Sequence, residues 1–415
     1  MTHGVTGEGR RSAAVGFVLV TVVLDVMALG LVIPVLPKLV EQLSGSTARA
    51  AVIYGVFGTA WALMQLLFSP VLGALSDAYG RRPVLLLSSF GLGLDYILMA
   101  LAPNLIWLFV GRVLSGITAA TFSTAGAYIA DVTPAAERAG KFGLIGAAFG
   151  VGFVLGPALG GLLGAQDPRL PFWVAAVLSL ACASYGYFVL PESLPPDRRS
   201  PFRWRTANPL GALSLIRSKP GLSELSLGMF LYHVSHAVFP AVFVLHSGYR
   251  FGWGPGAVGA ALAVFGVCSG VVQGGLVKPA VARFGERRML VFGMVAGICG
   301  LGLMAFAPGE ATFWLGMAII CLWGFIGPSA QGLMTRLVGQ DQQGRLQGAG
   351  ASLMGVANLI GPSLFAGAFA LGISGADGML FPGAPYLLAA MCLCLGMAVV
   401  LYATRRGGAL RGLGE

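Results

Sequence analysis

The chain has 415 residues, 56% of them apolar and only 10% charged, with a mean hydropathy of +0.82. Soluble domains carry about 25% charged residues, so a string of water-soluble domains is excluded and a polytopic membrane protein is indicated. Its spans should be helical, because a helix satisfies its own backbone hydrogen bonds in lipid. The net charge of +10 does not point to nucleic acid, since the charges fall in short gaps between apolar runs.

Breaking the runs at charges, Pro and Gly predicts twelve segments, at 12–36, 51–74, 83–102, 105–130, 141–164, 171–190, 223–248, 256–277, 288–307, 311–334, 344–371 and 383–404. Segment 1 follows Arg10 and Arg11 but is longer than a signal-peptide core of roughly 7–15 residues and contains Asp25. It is read as a retained membrane helix. Segment 2 holds Gln65 and ends in "GALSDAYGRRPVLLLSS", a charged turn between two apolar runs. Asp95 in segment 3 and Arg112 in segment 4 lie, like Asp25, inside apolar spans. Ionisable groups there are costly and are functional-site candidates by default. Arg112 stays charged, so if one aspartate pairs with it the other is a surplus carboxylate and a candidate proton carrier. A static buried network of all three, or Arg112 reaching for an interface, is the plainer reading.

In segment 5, Gly152, Gly156, Gly160 and Gly164 recur every fourth residue and so line one stripe, with Pro157 beside them. Small residues at that spacing let helix backbones approach closely. They serve either fixed packing or a contact that flexes. The gap 191–222 is rich in Pro and Arg and reads as a solvated linker, within which Asn208–Arg217 has the pattern of a short amphipathic helix. The later segments offer His233 and His236 in segment 7, Gln273 in segment 8, Trp323 and Gln331 in segment 10 and Asn358 in segment 11. With Gln65 these are candidate substrate contacts, each weighed against an ordinary interhelical hydrogen bond. His233 and His236 are three apart and share a face, yet no further metal ligands accompany them. The six cysteines lie inside apolar runs and read as buried small hydrophobes, with no disulfide framework implied.

An even number of spans puts both termini on one side. Alternate gaps then hold 21 Lys and Arg on one side against four on the other (Lys38, Arg49, Arg169 and Arg250), and the rich side is cytoplasmic. The halves repeat. Gly80, Tyr79 and Arg82 match Gly285, Phe284 and Arg287, and Gly140–Pro157 resembles Gly344–Pro362. This predicts six-helix bundles at 1–190 and 223–415 joined by 191–222, an arrangement of secondary transporters.

"GALSDAYGRR" (Gly73–Arg82) resembles the signature loop of the major facilitator superfamily, "GRVLSGITAA" (Gly111–Ala120) its helix-4 arginine motif, and "GFVLGPALGG" (Gly152–Gly161) the helix-5 motif of its proton-coupled drug exporters. "LDVMALGLVIPVLP" (Leu24–Pro37), "ALMQLLFSPVLG" (Ala62–Gly73) and "LDYILMA" (Leu94–Ala100) are similar to the bacterial tetracycline/proton antiporters. The resemblance implies an all-α fold of twelve transmembrane helices and export of an amphipathic, drug-like molecule in exchange for protons by alternating access. It makes Asp25 and Asp95 essential acids and Arg112 their buried partner. Gly73, Asp77, Gly80, Arg81, Arg82 and Asp131 become a cytoplasmic gate, with Asp77 approaching the start of the eleventh helix near Gly344. Gly152, Gly156, Pro157, Gly160 and Gly161 become the antiporter motif. Alanine stands at position 78, where the family often has arginine, so the gate is expected to lean on Arg81 or Arg82. Gly297 stands where the tetracycline exporters have an aspartate, and the place of their helix-8 histidine is near Ser269. That leaves Asp25 and Asp95 as the proton route. The expected partners are a small-molecule substrate, protons and the lipid bilayer of a bacterial cytoplasmic membrane, for a monomer with cytoplasmic termini. No cofactor, metal, nucleic acid or enzymatic step is expected. The rivals are a metabolite symporter or facilitator, disfavoured by the helix-5 motif, and a non-transporting receptor, disfavoured by titratable charge in lipid.

Overall fold

The computed structural model describes residues 4–119, 121–134, 137–202, 215–216, 221–339, 342–375 and 380–406. The amphipathic helix expected within 208–217 lies outside them, apart from 215 and 216. The secondary structure of the described residues is helical throughout. The helices are α1 (Gly4–Val32, continued after a turn by Leu36–Ser44), α2 (Thr47–Tyr79), α3 (Arg81–Leu101), α4 (Leu105–Thr118, resumed as Thr121–Val132), α5 (Arg138–Gly164) and α6 (Leu170–Val189). They continue as α7 (Leu222–His236 and Val238–Phe251), α8 (Pro255–Val271, through Val272–Leu276, to Val277–Phe284) and α9 (Glu286–Ala305). The last are α10 (Glu310–Ile320, Cys321–Phe325, Ile326–Leu337), α11 (Gln343–Ser374) and α12 (Ala384–Arg406). Among the described residues eleven helical stretches are long and apolar enough to cross a membrane. The stretch Leu105–Thr118 is apolar but shorter, and with its continuation it supplies the twelfth span.

Where the sequence predicts continuous spans, the structure interrupts several, and proline accounts for most of the breaks. A proline lacks the amide proton and its ring crowds the carbonyl four residues back. Pro34 and Pro37 sit at the turn that ends Gly4–Val32. Pro240 frees the carbonyl of His236, where α7 is interrupted at Ala237. Pro279 crowds Gly275 inside Val272–Leu276, which is a π turn, and Pro328 crowds Gly324 inside Cys321–Phe325, which is a 3₁₀ stretch. Such irregular turns within long helices mark hinges and functional sites. Pro70, Pro157 and Pro362 are carried without interruption. The break after Ala119 in α4 has no proline to explain it.

The helices gather into two compact units. The first holds α3 to α6, α1 as far as Leu39, α2 from Ala60 and the start of α8, Gly254–Ala263. Its tightest seam is the glycine stripe of α5 against α1. A Cβ at Gly152 would stand 2.8 Å from the Val23 carbonyl oxygen, and one at Gly156 2.7 Å from Gly30 Cα. One at Gly160 would meet the Leu31 oxygen at 2.2 Å and one at Gly164 the Val35 side chain at 2.1 Å. Gly161 faces the other way, where a Cβ would stand 2.9 Å from Gly259 Cα of α8. Beneath this seam lies an apolar core that includes Val18, Val22, Tyr128 and Ile129.

The second unit holds α7, α9 to α12, Val40–Thr59 and α8 from Val264. In it Thr59 donates to the Leu359 carbonyl at 3.1 Å and meets Ser363 at 2.8 Å, while Gly58 lies against Pro362. An aromatic core fills it, with Phe243, His246 and Tyr386 packed on Phe313. All six cysteines are free, but only Cys182 and Cys321 are buried. Cys268, Cys299 and Cys394 are exposed and Cys392 is half-buried, so an apolar run in this chain does not by itself place a cysteine in the core.

Candidate functional site

Three charged residues inside the apolar spans of the first unit act electrostatically on one tyrosine. Asp25 on α1, Asp95 on α3 and Arg112 on α4 are the electrostatic neighbours of the buried Tyr96 hydroxyl. Asp95 is 1% exposed. It interacts with Arg112 through space and has Ser115 as a polar neighbour, without accepting a hydrogen bond from the Arg112 Nε. Gly111 makes room for it: a Cβ there would stand 3.0 Å from Asp95 Oδ1 and 2.4 Å from Met99. Gly116 does the same on the opposite side, where a Cβ would meet the Trp61 carbonyl oxygen at 2.6 Å. The Arg112 guanidinium then lies over the Trp61 ring, 5.3 Å from its centre. Gln65 is one turn along α2 from Trp61, on the same face. Asp25 also borders Cys182, whose thiol meets Thr21 at 3.4 Å.

The charged turn is a second constellation in the first unit. Gly80 has φ 109°, a conformation open to glycine, and starts α3. Arg81 pairs with Asp77 and with Asp131 at 3.1 Å, and donates to the Ser76 hydroxyl at 2.7 Å. Arg82 donates to the Tyr187 carbonyl oxygen. Glu192, which the sequence analysis did not single out, accepts from the backbone N–H groups of Arg81 and Arg82 at 2.8 and 3.3 Å. It thereby satisfies the first turn of α3, which has no acid of its own. The Ser200 N–H donates to the Asp77 carbonyl at 3.1 Å, so both ends of residues 192–200 are tied to the turn. Space is open around the Cβ positions of Gly73 and Gly344.

The second unit contains a cavity of about 320 Å³, within the range of small-ligand pockets. Met229 and His233 of α7, Gln331 and Met334 of α10, and Gln347 and Met354 of α11 line it, and none of its lining residues is Asp, Glu, Lys or Arg. Of the expected contacts, His233 and Gln331 are therefore in the cavity. His236 stacks on Trp323 at 4.7 Å, and Tyr232 meets both rings. Gln273 reaches from the π turn to Gly324, the residue after Trp323, where a Cβ would stand 3.1 Å from its Cγ. Asn358 is half-buried on α11 and is not among the cavity's lining residues. Gly297 is packed on Leu393 and Trp323, so the place where an aspartate was absent is filled by core.

Titratable groups inside apolar spans, a largely apolar cavity lined without Asp, Glu, Lys or Arg, and an internal repeat together define a solute-carrying membrane protein. The chain belongs to the Major Facilitator Superfamily, whose sequence pattern matches residues 18–362 and again 225–412. It is 40% identical over 373 residues to the tetracycline resistance protein, class C, of Escherichia coli, covering 89% of this chain and 93% of that one. It is 38% identical over 354 residues to the class G protein of Vibrio anguillarum, covering 85% and 89%. The crystal structure of the nucleoside transporter NupG shares the fold with a TM-score of 0.77 at 13% identity, covering 94% of this chain and 99% of that one.

Proposed function

We propose that this protein is a proton-coupled antiporter that exports an amphipathic, drug-like molecule, with tetracyclines the first candidates, across the bacterial cytoplasmic membrane. The observation that carries the reading is the grouping of Asp25, Asp95 and Arg112 about Tyr96. Two acids stand with one cation, so the site alternates between a net charge of −1 and neutrality as one carboxylate gives up and takes up a proton. A proton arriving from outside neutralises Asp25 or Asp95 and weakens the hold on substrate. Substrate leaves outward, and the proton leaves inward after the two six-helix repeats, 1–190 and 223–415, rock about the linker. Substrate is held on the neutral side by the cavity lined by His233 and Gln331 and by the aromatic wall of Tyr232, His236 and Trp323, which suit a planar, largely uncharged face. The Asp77–Arg81–Asp131 cluster acts as the cytoplasmic gate, and both termini face the cytoplasm of a monomer. The tetracycline resistance relatives support the substrate class. Uptake of a drug panel, tetracycline included, into proteoliposomes under an imposed pH gradient tests the proposal. Drug movement opposite to protons is expected. Movement with protons would make the protein a symporter, and no solute flux would make it a non-transporting member of the fold.

A further inference from the structure

The internal repeat hides a reversal of charge. Arg81 at the start of α3 pairs with Asp131 at the end of α4, 50 residues on, at 3.1 Å. In the second unit Glu286 at the start of α9 pairs with Arg336 at the end of α10, also 50 residues on, at 3.0 Å. Each pair follows a positive-φ glycine, Gly80 at 109° and Gly285 at 83°. The positions correspond and the signs are exchanged.

The exchange matters because helix ends carry partial charge, positive at the N-terminus and negative at the C-terminus. Glu286 is in the first turn of α9 and Arg336 in the last turn of α10, so each charge stands at the end that favours it. Arg81 and Asp131 stand at the ends that oppose them. There Glu192 takes the N-terminus of α3, and Arg81 is shared among Asp77, Asp131 and Ser76. The first pair is built to exchange partners and the second to stay closed. Gly332 completes the second. A Cβ on it would stand 2.5 Å from Glu286 Oε1, so the carboxylate is seated against α10 one turn before Arg336. Gln331 and Met334, which line the cavity, are on the same turn.

We propose that Glu286 and Arg336 are positioning residues for substrate binding: their ion pair, seated on Gly332, fixes the end of α10 that carries Gln331 and Met334 into the cavity. The effect on transport rests on the cavity being the substrate site. With tetracycline in proteoliposomes, Glu286→Gln and Arg336→Met should each raise KM about threefold to tenfold with kcat within about twofold of wild type. The double variant should be no worse than the poorer single one, because the two residues act as one contact. Gly332→Ala, which keeps both charges but unseats the carboxylate, should shift KM in the same direction. A drug-independent readout is the maleimide labelling rate of Gln331→Cys in a background with the six native cysteines replaced by serine. Adding Glu286→Gln should change that rate severalfold. Unchanged KM in all three single variants of a transporting protein, or an unchanged labelling rate, would overturn the proposal. If wild type moves no tetracycline, the transport reading has failed, and the labelling rate still decides whether the pair positions α10.

Discussion

A charged side chain in an apolar run announces itself, and that is why Asp25, Asp95 and Arg112 were legible in the sequence. Their neighbours were not. Tyr96 and Trp61 are aromatic residues in apolar spans, a pattern indistinguishable from ordinary core until the tyrosine is found among the three charges and the indole under the guanidinium. Glu192 was missed because an acid beside prolines reads as solvated linker, although it binds two backbone N–H groups of α3. Three predictions belong to the residue scale. Asp25→Asn and Asp95→Asn should each insert normally and reduce pH-driven drug accumulation to the protein-free background, as measured by labelled drug in vesicles. Glu192→Ala should lower stability by about 0.5–2 kcal/mol, as loss of a helix cap does, read as a lower melting temperature in detergent. Asp77→Asn should leave melting nearly unchanged, since an exposed ion pair contributes only about 0–1 kcal/mol, yet slow transport, as the gating role proposed for its charge requires.

At the scale of the element, the glycine stripe of α5 was legible from spacing alone, but its partner was not. Periodicity says that Gly152, Gly156, Gly160 and Gly164 share a face. It does not say that the face meets α1, or that Gly161 turns away to Gly259. The interrupted spans were also hidden, because Pro240, Pro279 and Pro328 sit in runs apolar enough to read as continuous helix. The stripe yields a paired prediction. Gly160→Ala places a methyl 2.2 Å from the Leu31 carbonyl oxygen and should cost about 1–3 kcal/mol, as overpacking does. Gly150→Ala, with no neighbour within 4 Å of its Cβ, should be neutral or slightly stabilising, since alanine is the better helix former. Equal melting temperatures for the two variants would show that α1 and α5 are not in close contact.

For the whole molecule, twelve spans were legible because lipid demands long apolar helices, and the repeat was legible because the Gly80 and Gly285 turns kept their pattern. The grouping of helices was not legible. Val40–Thr59 clusters with the later helices and Gly254–Ala263 with the earlier ones, an exchange that no local pattern encodes. The central claim is that protons and drug cross in opposite directions through Asp25 and Asp95. It is tested most directly by adding tetracycline outside proteoliposomes that hold a pH-sensitive dye, with protein-free vesicles as the reference. The account predicts that drug enters while the lumen turns alkaline, and that both changes vanish in Asp25→Asn and Asp95→Asn. A lumen that turns acidic as drug enters, or an undiminished response in both variants, would contradict it.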